Sequence, residues 1–321
     1  MSITIRDAQS VEDIAFFRES MDEYFERDMF PRGTKNRYEL LDYYQSSEYH
    51  DGISAMHGRE NDPAYFLIFR RDDVDIGFSL CATYPSEDAR YYIMEFCVLP
   101  DYRGNGTGKA CAEALLAWGR EHGAAYFELN ADDDRRVRFW SSLGFVSSGM
   151  DEWGKPLMLL LPEGTEAQEI TVEVASDPEL LWQLYRLENS FLSEIGEPTM
   201  TEEDAKEKKE RLAEAINIGV ITYFVARWGY RFVGMCSVAP CFSAAVCNLA
   251  GVLDNFYVEP AFRGHGIGRQ LMEYAKKWSH NQGVSGMRAT CDASVDGIYK
   301  KLGFTRRIGA TRDCDLSEFK K

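Results

Sequence analysis

One long internal repeat constrains this chain of 321 residues more than any other feature of its sequence. The stretch EFCVLPDYRGNGTGKACAEALLAWGREHG, which starts at Glu95, matches NFYVEPAFRGHGIGRQLMEYAKKWSHNQG, which starts at Asn255. Further along, RFWSSLGF at 138–145 matches GIYKKLGF at 297–304. The period is therefore about 160 residues, which indicates a duplicated domain because solenoid repeats are only about 20–50 residues long.

The duplication places the domain boundary in a short polar stretch near the middle of the chain. The apolar strand KPLMLLLP at 155–162 is followed by EGTEAQ at 163–168, after which an alternating strand, EITVEVA, begins. Polar residues with a glycine between two strand patterns indicate a linker. We therefore predict two domains, at 1–162 and 169–321, each long enough to bury its own core.

Each half shows the same predicted order of elements. A first strand is followed by helical stretches, at 10–28 in the first half and at 176–195 and 201–217 in the second. The segment Ser176–Pro178 is a good helix start, and Thr201 begins the next helix. Strands then come in series, and a glycine-rich loop opens a long amphipathic helix before a strand, a shorter helix and a final strand pair. This order predicts an α+β class, with a mixed sheet flanked by helices.

The composition argues against several classes of function. The formal net charge of −16 creates a field that repels phosphate backbones. It favours a cationic ligand, with a surface that is simply acidic, as in many soluble enzymes, as the alternative. No stretch approaches the ~18 apolar residues of a membrane helix, and the charged N-terminus is unlike a signal peptide. Eight cysteines and five histidines show no metal-ligand spacing. We therefore expect a cytoplasmic protein that binds no nucleic acid, no membrane and no metal.

The glycine-rich loops, DYRGNGTG at 101–108 and AFRGHGIG at 261–268, predict anion binding. Unpaired N–H groups at a helix N-terminus attract phosphate, and glycines let the anion approach the backbone. A P-loop is excluded because Ala110 stands where that motif needs serine or threonine. The spacing G-x-G-x-G also differs from the dinucleotide fingerprint G-x-G-x-x-G.

The pattern that fits both loops resembles the acetyl-CoA signature of the GNAT acetyltransferase superfamily, [RQ]-x-x-G-x-[GA]. The matching residues are Arg103, Gly106 and Gly108 in the first half, and Arg263, Gly266 and Gly268 in the second. Each match has its LGF segment at the expected distance, so the resemblance covers roughly 95–145 and 255–304. It implies two GNAT domains in tandem, with the acyl-CoA N-acyltransferase fold.

The resemblance also implies acetyl-CoA as cosubstrate, with backbone amides of the loops around its pyrophosphate. The residues implied in the second half are Phe256, Val258, Arg263, Gly264, His265, Gly266, Ile267, Gly268 and Arg269. Those implied in the first half are Val98, Arg103, Gly104, Asn105, Gly106, Thr107 and Gly108. The pantetheine arm is expected along the strand before each loop, with the Val258 amide polarising the thioester carbonyl. The loop arginines are expected to supply cations to the phosphates, with ordinary solvated side chains as the alternative.

The two halves differ at the residue that GNAT enzymes commonly use to protonate the leaving thiolate. Tyr299 occupies this place in the second half, and Trp140 occupies it in the first. An indole N–H donates a hydrogen bond but gives up no proton at neutral pH. Tyr299 is therefore predicted as the general acid, with a packed core tyrosine as the alternative.

An acid on the strand before the second loop is predicted as the general base, because an amine with a pKa near 10 must lose a proton before it attacks. Asp254 precedes Val258 by four residues and, by strand alternation, is expected on the same face. It resembles an acidic residue of diamine acetyltransferases, although a structural aspartate is the alternative. The equivalent first-half residue is Met94, with Glu95 expected on the opposite face. Acids of the helical region are further candidates for binding the amine: Glu188, Glu194 and Glu197.

These features predict an acetyl-CoA-dependent N-acetyltransferase whose second domain is catalytic and whose first domain is degenerate. The expected acceptor is the amine of a small cationic molecule, and a domain pair within one chain suits a monomer or a weak homodimer. Two alternatives stay open. One is an acetyl-CoA-binding sensor or scaffold without turnover, and the other is an enzyme that acetylates protein lysines or N-termini.

Overall fold

The computed structural model divides the chain into two compact units, described separately below. The first comprises residues 1–148 with 155–168, and the second comprises 149–154 with 169–321. This division differs from the predicted boundaries in the segment 149–154, whose Met150 N–H donates to Ser190 Oγ of the second unit over 2.8 Å. The structure describes residues 3–151, 154–162, 170–176, 180–199, 202–244, 247–291 and 293–306.

The first unit is a sheet of seven strands with helices on its two faces. Its strands are β1 Thr4–Asp7, β2 Ala64–Arg71, β3 Val74–Tyr84, β4 Arg90–Val98, β5 Tyr126–Asn130, β6 Val146–Met150 and β7 Pro156–Leu160. The last two residues of β6, Gly149 and Met150, are assigned to the second unit. Its helices are α1 Val11–Tyr24, α2 Arg37–Tyr44, α3 Ser47–His57, α4 Thr107–Glu121 and α5 Asp134–Ser141. The strand order is β1-β2-β3-β4-β5-β7-β6. From β1 to β7 the neighbouring strands are antiparallel, except for the parallel β4–β5 pair. One apolar core lies between the sheet and α4, and the other lies beneath α1.

The first predicted helix divides into two parts. Ser10 accepts a hydrogen bond from the Asp13 N–H over 3.0 Å and so caps α1. The α-helix ends at Tyr24, and the chain continues as a π-helical turn over Phe25–Met29.

The second unit repeats this arrangement over its described residues. Its strands are β8 Ile170–Val174, β9 Thr222–Trp228, β10 Arg231–Ser243, β11 Asn248–Val258 and β12 Met287–Ala289. Its helices are α6 Leu181–Ile195, α7 Glu202–Asn217, α8 Ile267–Asn281 and α9 Asp296–Lys301. The order β8-β9-β10-β11-β12 matches β1 to β5 of the first unit, and β11–β12 is again the parallel pair. The predicted α+β fold is confirmed, while the final strand pair of the second half and most of the predicted helix start at 176–178 fall outside the described residues.

Each sheet opens where its parallel pair ends. β11 pairs with β12 only over Gly251–Leu253, and β4 pairs with β5 only over Arg90–Tyr92. The remaining residues of each longer strand, 254–258 and 93–98, have no strand neighbour on that side within the described chain. A strand without a neighbour exposes backbone N–H and C=O groups, so each opening is a place where an extended ligand can lie.

A bulge at Asn255 turns β11 within this opened segment. Gly234 and Met235 of β10 face Val258 and Tyr257, but Ser237 faces Asp254, so β11 carries one extra residue. Asn255 has a positive φ of 49°, a conformation that asparagine adopts more readily than most residues. The extra residue reverses which face of the sheet each following side chain meets.

A buried triad of charges holds α6 against this strand. The Glu259 carboxylate is fully buried and accepts from Arg186 of α6 and from Arg231 Nε over 3.1 Å. The two guanidinium groups hold the pKa of Glu259 below its usual range despite the opposing effect of burial. Arg186 also donates to the Phe232 carbonyl over 2.5 Å. The triad therefore joins α6, β10 and the end of β11.

Replacing Glu259 by glutamine should lower the free energy of unfolding by about 3–5 kcal/mol, because two buried arginines lose their counter-charge. Urea denaturation at pH 7 measures this loss, with the exposed Glu273→Gln on α8 as control, expected within about 0.5 kcal/mol of wild type. Because folding lowers the Glu259 pKa, the difference should be full above about pH 5 and shrink as the pH falls through the carboxyl range. A loss below about 1 kcal/mol at pH 7 would contradict the role of the triad.

Candidate active site

Both glycine-rich loops present open backbone at the start of a helix. Gly266 precedes α8 with a φ of 80°, and Gly264 has a φ of 86°. Gly106 precedes α4 in the same way, with a φ of 79°. A Cβ at any of these glycines would meet nothing within 4 Å, and within the described chain their N–H groups have no acceptor. The predicted anion-binding geometry is therefore available in each unit.

Several other residues of the predicted loops have roles inside the protein. Thr107 and Ile267 are buried, and the Thr107 N–H donates to the Gly104 carbonyl over 2.9 Å. His265 Nδ1 lies 3.3 Å from the Phe262 carbonyl oxygen. Arg269 is exposed in the first turn of α8. In the loop of the first unit, Asn105 has a positive φ of 49°, and a Cβ on Gly108 would lie 3.6 Å from the Phe139 ring.

The two loop arginines, which are predicted to supply cations to the phosphates, form ion pairs within their own units. Arg263 Nε donates to the Val258 carbonyl over 2.8 Å, and its guanidinium pairs with Glu194 at 2.5 Å. Arg103 Nε likewise donates to the Val98 carbonyl over 2.7 Å and pairs with Asp28. Each arginine thus satisfies a carbonyl that the opened strand leaves without a partner.

The backbone N–H of Val258 points into the opening between β11 and β12. Gly234 and Val258 face each other, and the next residue, Glu259, donates its N–H to the Val233 carbonyl over 2.9 Å. Val258 is therefore in a pair that is not hydrogen-bonded, so its N–H and C=O point away from β10. In the first unit, Leu99 donates to Ile76 over 2.9 Å, which orients Val98 in the same way.

Tyr299 lies beside the opened segment on the face covered by α8. Its ring packs against Phe256 and Phe304, with centroids 6.1 and 5.8 Å apart. Phe256 in turn comes close to the loop, because a Cβ on Gly268 would lie 3.0 Å from its ring. Burial raises the pKa of Tyr299 to about 12, with a smaller effect from neighbouring groups such as Asp254. Tyr299 is half-buried and keeps its proton at neutral pH.

Trp140 takes the equivalent place in the first unit and lies in its apolar core. It is only 6% exposed and packs edge-on against Phe96 and Phe145, with centroids 5.3 and 5.1 Å apart. Trp140, Phe96 and Phe145 thus correspond to Tyr299, Phe256 and Phe304 of the second unit. Trp140, however, has no hydroxyl group.

Asp254 and Val258 lie on opposite faces of the sheet, so the strand-alternation argument for Asp254 is wrong. Val258 faces α8, since its Cγ2 would lie 3.8 Å from a Cβ on Gly268. Asp254 faces Ser237, which faces Tyr223 on the side covered by α6. The bulge at Asn255 causes the change, because an extra residue in a strand inverts the alternation. Asp254 itself is exposed.

A hydrogen-bonded group on the α6 side of this bulge centres on Glu188. Its Oε1 accepts from the Tyr223 hydroxyl over 2.6 Å and from Asn255 Nδ2 over 2.9 Å. Asn255 Nδ2 also lies 2.9 Å from the Tyr223 hydroxyl. Burial raises the pKa of Glu188 to about 7; the two hydrogen bonds oppose this shift, and the nearby Asp254 charge adds to it.

These residues line a cavity of about 250 Å³. Its lining consists of Tyr185, Glu188, Leu192, Lys208, Leu212, Tyr223 and Asn255. Among described side chains, both hydrogen bonds to the Glu188 carboxylate end on Oε1, which leaves Oε2 for a ligand. Of the acids expected to bind an amine, Glu188 thus lies in the cavity, Glu194 pairs with Arg263, and Glu197 is exposed after α6.

Sequence reasoning missed most of this cavity. Tyr223 lies in an unremarkable apolar strand, and nothing in the sequence connects it with Glu188. The one available signal was the repeat itself, in which Asn255 takes the place of Glu95.

The first unit has its own shielded carboxyl at that equivalent place. Glu95 faces Leu80 of the core beneath α1, and Tyr24 of α1 is its hydrogen-bond partner. Loss of solvation raises the pKa of Glu95 to about 7, and Tyr24 opposes the shift. Glu95 thus lies on the face opposite Val98, which is the same face that carries Glu188 in the second unit. Met94 lies on the Glu95 face too, unlike the expectation from strand alternation, because β4 also carries one extra residue here.

The described residues contain neither a cluster of metal ligands nor a helix that could cross a membrane. No group of three or more His, Cys, Asp or Glu side chains there is arranged to hold a metal ion. No described helix combines the length and the apolar character that crossing a membrane requires.

Glu188 should titrate near pH 7, and Tyr223→Phe should raise its pKa further because a hydrogen bond to the carboxylate is lost. Asp254→Asn should lower the Glu188 pKa, since a neighbouring negative charge is removed. Carbon-13 NMR of the glutamate carboxyls measures both shifts, with Tyr274→Phe on α8 as a control expected to leave the value unchanged. A wild-type pKa near 4.5 would contradict the burial of this carboxyl.

Comparison with known proteins identifies the family. A family model described as acetyltransferase (GNAT) family matches residues 16–145, and one described as acetyltransferase (GNAT) domain matches residues 220–306. No curated protein matches the chain.

The chain is also similar to solved structures of single-domain size. Glucosamine-6-phosphate N-acetyltransferase from Arabidopsis thaliana is 18% identical, with 46% of this chain and 100% of that chain covered and a TM-score of 0.39. A predicted acetyltransferase with acetyl-CoA from Clostridium acetobutylicum is 17% identical, with 47% and 98% covered and a TM-score of 0.41. PaiA N-acetyltransferase from Thermoplasma acidophilum, in complex with coenzyme A, is 18% identical, with 50% and 100% covered and a TM-score of 0.40.

The two family matches together span more than half of the chain. The first contains the loop at 104–108 with Trp140, and the second contains the loop at 264–268 with Tyr299. The resemblance predicted from the repeated motif is confirmed. This chain belongs to the GNAT acetyltransferase family and carries two GNAT domains in tandem.

Proposed function

We propose that the second unit transfers the acetyl group of acetyl-CoA to the amine of a small molecule. The observation that carries this proposal is the arrangement around residues 254–258 of β11. Glu188 lies on one face of this opened segment, Tyr299 lies on the other, and the Val258 N–H points into the gap between β11 and β12. A base, an acid and a hydrogen-bond donor for a carbonyl oxygen therefore surround one opening.

Glu188 is the residue best placed to receive the amine. An alkylammonium of pKa near 10 is only ~0.1% neutral at pH 7, which costs about 4 kcal/mol. A carboxylate of pKa about 7 accepts this proton more readily than an ordinary glutamate of pKa 4.5, and about half of it is ionised at pH 7. The ammonium is expected to approach Oε2 from the cavity, where the carboxylate first binds it and then takes its proton.

The remaining steps fall to Val258 and Tyr299. The Val258 N–H donates to the thioester carbonyl oxygen as that oxygen gains negative charge. Tyr299 donates its phenolic proton to the sulfur as the carbon–sulfur bond breaks, and it regains a proton from solvent. The new amide nitrogen loses its second proton, so one ammonium and one thioester yield one amide, one thiol and one proton overall.

The loop of the second unit supports acetyl-CoA as the donor. The free N–H groups of Gly264 and Gly266 suit the pyrophosphate, and α8 adds the positive end of its dipole. Because Arg263 is paired with Glu194, binding of the phosphates is expected to depend mainly on the backbone and on Arg269.

Asp254, the base predicted from the sequence, stays a candidate through its position on the Glu188 face. It is more exposed than Glu188, which is only 8% exposed. We assign it to the approach of the amine and to raising the Glu188 pKa.

For the first unit we propose binding of acetyl-CoA without turnover. Its loop and its Val98 N–H match those of the second unit, but the core indole of Trp140 stands where the acid would be needed. The first unit would then act as a sensor that binds acetyl-CoA, while the second unit performs the acetyl transfer.

Removing the base Glu188 or the acid Tyr299 should lower kcat strongly, with a different effect on its pH dependence in each case. Glu188→Gln is expected to reduce kcat about 10²- to 10⁴-fold and to abolish the rise of kcat with pH around 7. Tyr299→Phe should lower kcat about 10- to 100-fold while that pH dependence persists, and Asp254→Asn should cost less than Glu188→Gln. Release of free thiol from acetyl-CoA over a panel of small amines measures these rates.

Trp140→Phe is the control for Tyr299→Phe, because it alters the equivalent place in the first unit and should leave the rate near wild type. Tyr299→Phe at the wild-type rate would overturn the assignment of the acid. Binding of acetyl-CoA without thiol release on any amine would indicate a sensor, and release only with lysine peptides would indicate a protein acetyltransferase.

Two equivalents of acetyl-CoA should bind per chain. Gly266→Ala should remove one site and the activity, whereas Gly106→Ala should remove the other site and leave the activity, because each Cβ enters the open space of its loop. The matched controls are Gly283→Ala and Gly123→Ala, which impose a similar positive φ at the ends of α8 and α4 with no neighbour to the Cβ. Calorimetric titration gives the stoichiometry; a single site in wild type would contradict the proposal for the first unit.

A further inference from the structure

We propose that the acceptor carries an anionic group as well as its amine, so that it is an amino acid or a similar amino-carboxylate or amino-phosphate. This inference rests on the proposed function, since it concerns the cavity assigned to the acceptor. Two charged side chains line this cavity, Glu188 and Lys208, and they carry opposite charges.

The two charges differ in depth. Glu188 is only 8% exposed and is anchored by Tyr223 and Asn255, whereas Lys208 is exposed on α7. Lys208 and Leu212 are one helical turn apart, and both line the cavity, so this face of α7 borders it. The cavity therefore has a negative inner end and a positive rim.

The neutral part of the lining suits a short carbon chain between the two charges. Leu192 and Leu212 supply apolar surface, and the ring of Tyr185 adds to it. A volume of about 250 Å³ lies below the ~300–1,000 Å³ of pockets for drug-sized ligands. An amino acid is of suitable size, whereas a large oligosaccharide amine is not.

The lysine also disfavours the acceptor that the overall charge suggests. A net charge of −16 predicts a polycation, but the second ammonium of a short diamine would come to rest near the Lys208 ammonium. At close range such a pair repels by about 1 kcal/mol even in water, and charges beyond ~8–10 Å are largely screened by salt. The local charge therefore decides between acceptors, and it favours a carboxylate or a phosphate at the rim.

Acceptors of matched length test this inference directly. Thiol release is measured with 4-aminobutanoate, 3-aminopropyl phosphate, butylamine and 1,4-diaminobutane, using wild type, Lys208→Gln and Lys208→Glu. The first two acceptors distinguish a carboxylate from a phosphate. Lys277→Gln, which removes an exposed lysine from α8, serves as the control and should leave the order of acceptors unchanged.

Wild type should prefer the better anionic acceptor to butylamine by about 3- to 5-fold in kcat/KM, the range expected for one exposed ion pair. The preference should fall to near one in Lys208→Gln and reverse towards the diamine in Lys208→Glu. A wild-type preference for the diamine, or an order of acceptors that no Lys208 variant changes, would overturn the inference.

Failure of the proposed function has a different signature, namely no thiol release with any acceptor. Calorimetric binding of the same four compounds still tests the charge preference in that case. Weaker binding of 4-aminobutanoate by Lys208→Glu, with no change in Lys277→Gln, supports the inference, and equal binding by all variants contradicts it.

Discussion

The geometry of the second unit depends on the buried pairing of the Glu259 carboxylate with Arg186 and Arg231. Glu259 follows Val258 directly, and it binds Arg186, which precedes Glu188 by only half a helical turn. The ion pair between Glu259 and Arg186 therefore holds the Val258 N–H, which points into the opening of the sheet, at a fixed position relative to the Glu188 carboxyl in the cavity. Desolvation of three charges is costly, and the pairing offsets that cost only while all three side chains keep their places.

A second constraint is the early end of the parallel pair. Because β12 accompanies β11 for only three residues, the end of β11 presents backbone groups that would otherwise lie inside a sheet. The arginine of the glycine loop closes this edge on its carbonyl side and leaves the N–H side open. The motif arginine is thus explained by backbone chemistry, since its fixed planar donors suit a carbonyl and a carboxylate at once.

The sequence predicts the parts of this protein that depend on local chemistry. The glycine loops, Trp140 and Tyr299 each belong to a short motif, and the repeat is found by comparing two continuous segments of the chain. The family and the α+β fold follow from these motifs. The face of Asp254 was predicted wrongly because one bulge residue inverts the alternation, and no composition signal marks a bulge. The cavity was beyond prediction for a related reason, since Glu188, Tyr223 and Asn255 come from three elements that only the sheet register and the triad bring together.

The left-handed conformation of Asn255 also bears on how the two copies diverged. The first unit holds its shielded carboxyl on the strand, as Glu95, whose φ is negative, whereas the second holds it on a helix, as Glu188. Glutamate is poorly suited to a φ of 49°, and at position 255 it would also meet the existing carboxyl. The two arrangements differ in the backbone conformation of this strand residue and in the element that carries the acid. The two units therefore hold a shielded carboxyl on the same face of the sheet by two structurally independent arrangements.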